Sequence, residues 1–191
     1  YGPIFAPFTQ QPLSTGAGLA LTASMAGAFM AALNGTSFIT SPIAGKVMQH
    51  FSPRTTVLIG ALISLTGWSL LALNHQGVML VGIWGVIIIA GLGFIFTGCY
   101  GLLVAASPST QVGEATGIGY IAMTLAMAVG AQIIFSVLSN DPSIDPRTRV
   151  AYPSDAAWTI VMIGAAIGAA AIIPVLFCGA GAAAGRNRKA V

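Results

Sequence analysis

From Leu19 to Ala44 the chain runs for 26 residues without a charged side chain. Four further uncharged runs follow, at Thr55–Leu73, Val78–Ala106, Ala115–Ser139 and Ala156–Ala184. A helix rises about 1.5 Å per residue, and a hydrocarbon layer roughly 30 Å thick needs around 20 apolar residues to cross it. Turn-like segments separate most of the runs: Phe51-Ser52-Pro53-Arg54, Asn74-His75-Gln76-Gly77 and Ser107-Pro108-Ser109-Thr110. One connector is longer, from Asn140 to Asp155. Tyr1–Phe8 reads as the end of another apolar segment, with Gln10-Gln11-Pro12 as a short turn after it. The expectation is an all-α, polytopic membrane bundle of five complete transmembrane helices plus the end of a sixth.

Composition removes the alternatives. Only 6% of the residues are charged, against roughly 25% in soluble domains, too few to cover a water-facing surface. A hydrophobic share of 56% rules out disorder, which needs the opposite balance. A net charge of +3 is too small and scattered for a nucleic-acid surface. Cys99 and Cys178 both lie in apolar runs, so no disulfide framework is expected. Nothing has the pattern of a nucleophile with its base, or of a metal-ligand cluster, so the reading is a non-enzyme without a cofactor. Gly91-Leu92-Gly93 lacks both the preceding strand and the third glycine of a dinucleotide fingerprint, since Phe96 stands there.

The charges divide between two faces. With five alternating spans, Lys46, Arg54, Arg186, Arg188 and Lys189 fall on one side, together with Glu114, a carboxylate suited to a helix start. The other side receives Arg147 and Arg149 among Asp141, Asp145 and Asp155. Five basic residues against two make the first side cytoplasmic, with the C-terminus there and the long connector outside. Trp68 and Trp158, near the outer helix ends, are expected as interface anchors. Small residues predict close helix packing, above all the pair Gly164 and Gly168, the stripe Ala122, Ala126 and Gly130, and the stripe Ala23, Gly27 and Ala31.

The stretch Ser41-Pro42-Ile43-Ala44-Gly45-Lys46-Val47-Met48-Gln49-His50-Phe51-Ser52-Pro53-Arg54 resembles the cytoplasmic hairpin of the major facilitator superfamily, in the copy between its eighth and ninth spans. That motif reads G-x-x-x-D-R-x-G-R-R. Gly45 matches its first glycine and Arg54 its final basic residue, with Lys46 beside the first. Gln49 replaces the Asp, His50 the Arg and Ser52 the second Gly. Ile89-Ala90-Gly91-Leu92-Gly93-Phe94 resembles the tenth span, and Gly113-Glu114-Ala115-Thr116-Gly117 the entry to the eleventh. Ala128-Val129-Gly130-Ala131-Gln132 is similar to the middle of that span in the fourteen-span drug–proton antiporters. The resemblance implies that 1–185 is a C-terminal six-helix half, its first helix truncated, followed by a basic cytoplasmic tail at 186–191.

The interiors of the five runs hold no Asp, Glu, Lys, Arg or His, the usual proton relays and counter-ions of transporters. Uncharged polar groups remain: Asn34, Ser37 and Ser41 share a face of the first run, Thr97 and Tyr100 belong to the third, and Tyr120, Thr124 and Gln132 to the fourth. The resemblance implies that these spans line a central cavity, which makes Asn34, Ser37, Thr97, Tyr100, Tyr120, Thr124 and Gln132 candidates for substrate contact. Read from the residues alone, the same groups can serve as hydrogen-bonding glue between helices. Met25, Met30, Met123 and Met127 with Phe29, Phe94 and Phe96 offer an adaptable apolar pocket or plain packing.

The function implied is part of a secondary active transporter in the cell membrane that exports amphipathic, drug-like molecules by alternating access. Its partners would be the small-molecule substrate, the bilayer, and either the missing N-terminal half or a second copy. The alternative is a non-transporting membrane scaffold or partner subunit.

Overall fold

The computed structural model describes residues 1–146 and 148–187, with side chains as far as Leu176. Six helices follow one another: α1 (Gly2–Gln10), α2 (Ala23–His50), α3 (Pro53–Leu73), α4 (Val78–Ala106), α5 (Val112–Asn140) and α6 (Asp155–Asn187). Local chemistry explains where they begin. Thr22 Oγ1 accepts the Met25 amide at 3.3 Å to open α2. Ser52 Oγ accepts the Thr55 amide at 3.1 Å ahead of Pro53, which has no amide to lose in a first turn. At the start of α6, Ser154 Oγ accepts the Ala157 amide at 3.1 Å. Glu114 sits in the first turn of α5, where its carboxylate meets the positive end of the helix dipole.

Four helices are long and apolar enough to cross a membrane: α3, α4, α5 and residues Asp155–Leu176 of α6. The expectation of five complete spans is corrected here. With 28 residues α2 has ample length, but Asn34-Gly35-Thr36-Ser37 and Thr40-Ser41 dilute its apolar character, and it is not among the four. The fold is otherwise helical, with one addition. Within the long connector, β1 (Pro142–Ile144) pairs antiparallel with β2 (Ala151–Pro153), Ser143 opposite Tyr152.

The tightest contact is between α3 and α4, which run antiparallel. A Cβ built on Gly60 would stand 2.7 Å from Gly91 O, and one on Gly91 would stand 2.6 Å from the Ser64 amide nitrogen. Backbone touches backbone there, which only glycine permits. By contrast, a Cβ on Gly164, Gly168, Gly130 or Gly27 would meet nothing within 4 Å. The expected packing role of Gly164 and Gly168 is therefore not realised: Gly164 looks across an open groove of about 360 Å³ at Gly130 and Ile133 of α5, and Gly168 is exposed. α2 lies parallel to α4, with Leu33 against Gly85 and Thr40 against Gly93. α5 stands apart, and Leu138 is its one buried residue.

The core gathers at the end of the bundle where α1, the 11–22 segment, residues 74–77 and the β ribbon meet. Phe5, Phe8, Leu71, Val81, Ile88, Trp158 and Met162 are all buried there. Trp68 and Trp158 belong to this core, which corrects their reading as interface anchors. α1 folds over the helix ends that would otherwise have presented both indoles to a lipid boundary: Phe8 packs edge-on against Trp158, and Phe5 lies 6.1 Å from Trp68. The Gln10-Gln11-Pro12 turn is likewise longer than expected. A 3-10 turn at Leu13–Thr15 and an extended stretch delay α2 until Ala23.

Candidate functional site

The polar face of α2 starts at Asn34. Its Nδ2 donates to the Met30 carbonyl at 2.7 Å, and its Oδ1 accepts from the Tyr1 hydroxyl. Asn34 nonetheless remains exposed. One turn on, Ser37 is half-buried and makes no hydrogen bond among the described residues. Thr40 Oγ1 donates back to Thr36 O at 3.1 Å, and the Thr40 and Ser41 side chains rest against Gly93 of α4. Asn34, Gly35 and Thr36 lie inside the helix, so the sequon they form is not in a loop.

Between α4 and α5 is a groove of about 260 Å³ lined by Ile95, Phe96, Cys99, Tyr100, Leu103, Gly119 and Met123. It unites one candidate polar residue, Tyr100, with two members of the expected apolar pocket, Phe96 and Met123. The groove exists because Leu103 closes on Gly119 at one end while α5 diverges beyond it. Of the other apolar candidates, Phe94 is buried beside Gly60, Phe29 and Met30 pack on the core, and Met25 and Met127 are exposed. Thr97 is half-buried outside that lining. Tyr120 and Thr124 are exposed on α5, where Thr124 Oγ1 donates to Tyr120 O at 2.9 Å. Gln132 is exposed without a hydrogen bond among the described residues. The candidates thus share α2, α4 and α5 but not one enclosed pocket.

The hairpin lies at the opposite end of the bundle from the core. Gly45, Lys46 and Gln49 occupy the last two turns of α2, Arg54 the first turn of α3, with Phe51 and Ser52 between. Lys46, Gln49 and Arg54 are exposed. Neither base has an ion-pair partner among the described residues, where the one pair is His75 with Asp155, 2.7 Å apart at the other end. Arg147, Arg188 and Lys189 lie outside the described residues, as do the side chains of Arg186 and Cys178. No group of three His, Cys, Asp or Glu among the described residues is placed to hold a metal.

A polar network at the core end was not foreseen. Gln11 is 2% exposed and donates through Nε2 to Thr15 Oγ1 at 2.8 Å and to Pro153 O at 2.7 Å. Its Oε1 accepts from the Trp158 indole at 2.7 Å. Asp145, equally buried, accepts from Ser14 Oγ at 2.8 Å and from Thr148 Oγ1 at 2.6 Å. His75 Nε2 meets Asp155 Oδ1, and its Nδ1 lies 3.2 Å from Leu71 O. The local signal was present in Asp145-Pro146 and Thr148, since an Asp followed by Pro with a hydroxyl residue three places on is a turn-forming pattern. Nothing local announces that Gln11 would be buried. Comparison of the chain with protein-family models, with curated proteins and with solved structures finds no match.

Proposed function

We propose that this chain is the membrane-embedded C-terminal half of a secondary transporter for small amphipathic molecules, built on the major facilitator plan. One observation carries the reading. Ser37, Thr97, Tyr100 and Gln132 lie on α2, α4 and α5 without a hydrogen bond among the described residues. Lipid tails offer no partner for such groups, so a face carrying them is suited to water, a ligand or another polar helix. The α4–α5 groove, apolar apart from Tyr100 and Cys99, matches an amphipathic substrate, which needs much apolar contact and few orienting bonds. In this reading the bundle rocks as a unit against its counterpart, and the substrate is passed along the α2, α4 and α5 faces. Asn34 and Gln132 orient it without carrying a proton, because neither amide titrates.

The test is export from proteoliposomes or everted vesicles holding the full-length protein, read with a fluorescent amphipathic amine. Asn34→Ala and Gln132→Ala should each change affinity several-fold, about what loss of one hydrogen bond near 1 kcal/mol produces. The pH dependence should stay as in the wild type. Wild-type affinity with lowered thermal stability assigns both residues to packing, and a moved pH optimum places proton coupling in this half.

One observation favours the scaffold reading: Thr55–Leu73 of α3, all of α4 and Ala115–Asn140 of α5 contain no Asp, Glu, Lys, Arg or His. A full-length protein that exports nothing in the same vesicles, yet co-purifies with a membrane partner, decides for it.

A further inference from the structure

A groove of about 450 Å³ runs between α3 and α6, on the opposite side of α3 from the α4 contact. Leu65 and Leu73 of α3 and Ile163, Ile167 and Ala170 of α6 line it, with the hydroxyl groups of Ser69 and Thr159. Thr159 lies towards the core end of the bundle and Ala170 deepest in α6. The separation of these two along the helix is about 16 Å at roughly 1.5 Å per residue. That is close to one leaflet of a hydrocarbon layer about 30 Å thick.

Asp155 stands one turn before Thr159, on the same face of α6 and hence at the groove's mouth. Oδ1 is engaged with His75 Nε2, yet the side chain remains 53% exposed. Asp141 is close by, accepting from Ser154 Oγ at 2.5 Å at the start of the same helix. Neither carboxylate has a Lys or Arg partner among the described residues. The leaflet-deep apolar channel thus lies below a half-exposed carboxylate, whose Oδ1 is held by His75 and whose Oδ2 has no bond among the described residues. That arrangement is complementary to one amphiphile: an alkyl chain below, a cationic head above. Water is a poor occupant, because it needs two to four polar partners and the channel offers two hydroxyls. Left empty, the channel would forfeit dispersion contacts along its length.

We propose that the α3–α6 groove holds an acyl chain of a phospholipid whose ammonium head sits at Asp155. The proposal rests on these helices crossing a membrane and is independent of transport. The experiment uses the full chain in mild detergent with equal amounts of phosphatidylethanolamine and phosphatidylglycerol of matched chains, and native mass spectrometry counts the lipid retained. The wild type should retain one phosphatidylethanolamine in preference to phosphatidylglycerol. Ile167→Trp and Ala170→Phe should lower retention about tenfold, and Asp155→Asn should abolish the preference between heads. Ile167 is exposed, so its substitution tests the groove without threatening the fold, and a melting curve on each variant verifies this. Equal retention of both lipids, preference for phosphatidylglycerol, no retained lipid, or full retention by Ile167→Trp overturns the proposal. Resistance of the chain to alkaline extraction from membranes is scored separately. A chain that stays in the membrane and retains no phosphatidylethanolamine loses the lipid site and keeps the membrane reading.

Discussion

At Gln11 one buried amide joins three segments that are far apart in the chain. It bonds to Thr15 in the 3-10 turn, to Pro153 O in the β ribbon and to the Trp158 indole of α6. Gly18 completes the arrangement: its φ of +95° is open to glycine, and a Cβ there would fall 2.4 Å from Gln11 O. Gln11→Ala leaves the Trp158 N–H buried without an acceptor, which costs about 1–3 kcal/mol. Thermal unfolding in detergent should show that loss, while Gln10→Ala, next door and exposed, should leave the midpoint unchanged. Equal midpoints for both variants would mean that water replaces the amide.

The α3–α4 pair makes the equivalent case for whole helices. Gly60 and Gly91 bring the two backbones together, and Ser64 Oγ bridges to Ile88 O at 3.4 Å beside them. A leucine at Gly91 has its Cβ inside the Ser64 amide, so the helices must part. Overpacking of this kind costs roughly 1–3 kcal/mol, and Gly91→Leu should lower the detergent melting midpoint and the folded yield. Gly168→Leu should change neither, because open space surrounds that position. A large loss from Gly168→Leu would reveal a neighbour for α6 beyond the described residues.

Across the whole molecule, alternation of the helices collects the 11–22 segment, residues 74–77 and the β ribbon at one end, bonded to one another through Gln11, Asp145 and the His75–Asp155 pair. The hairpin at Phe51-Ser52 and the α4–α5 connection occupy the other. The charge bias read from the sequence would put the core end outward. A membrane-impermeant thiol reagent should therefore label a cysteine at Ser143 in intact cells and spare one at Ser52. The reverse pattern inverts the topology and moves the acidic mouth of the α3–α6 groove to the cytoplasmic leaflet. Labelling at both positions would instead break the alternation of spans.

Helix existence and position were legible in the sequence because their causes are local. Uncharged runs marked α3 and α4 with little error, and Glu114 marked the start of α5. Helical spacing of i and i+3 also put Asn34 and Ser37 on one face of α2. What two helices do to each other was not legible. Gly164 and Gly168 have the spacing of a packing pair and meet nothing, whereas Gly91 of Gly91-Leu92-Gly93 meets Gly60, which stands alone in its stretch of sequence, because contact depends on which face the partner presents. Trp158 and Gln11 show the same limit. Trp158 was read as lying near a helix end and Gln11 as part of a short turn, and both are buried where α1, the 11–22 segment and the β ribbon fold over the start of α6. The candidate site divides likewise: residue type and helix face came from the chain, but the union of Tyr100 with Phe96 and Met123 needed the divergence of α5 from α4, a tertiary angle that no local pattern encodes.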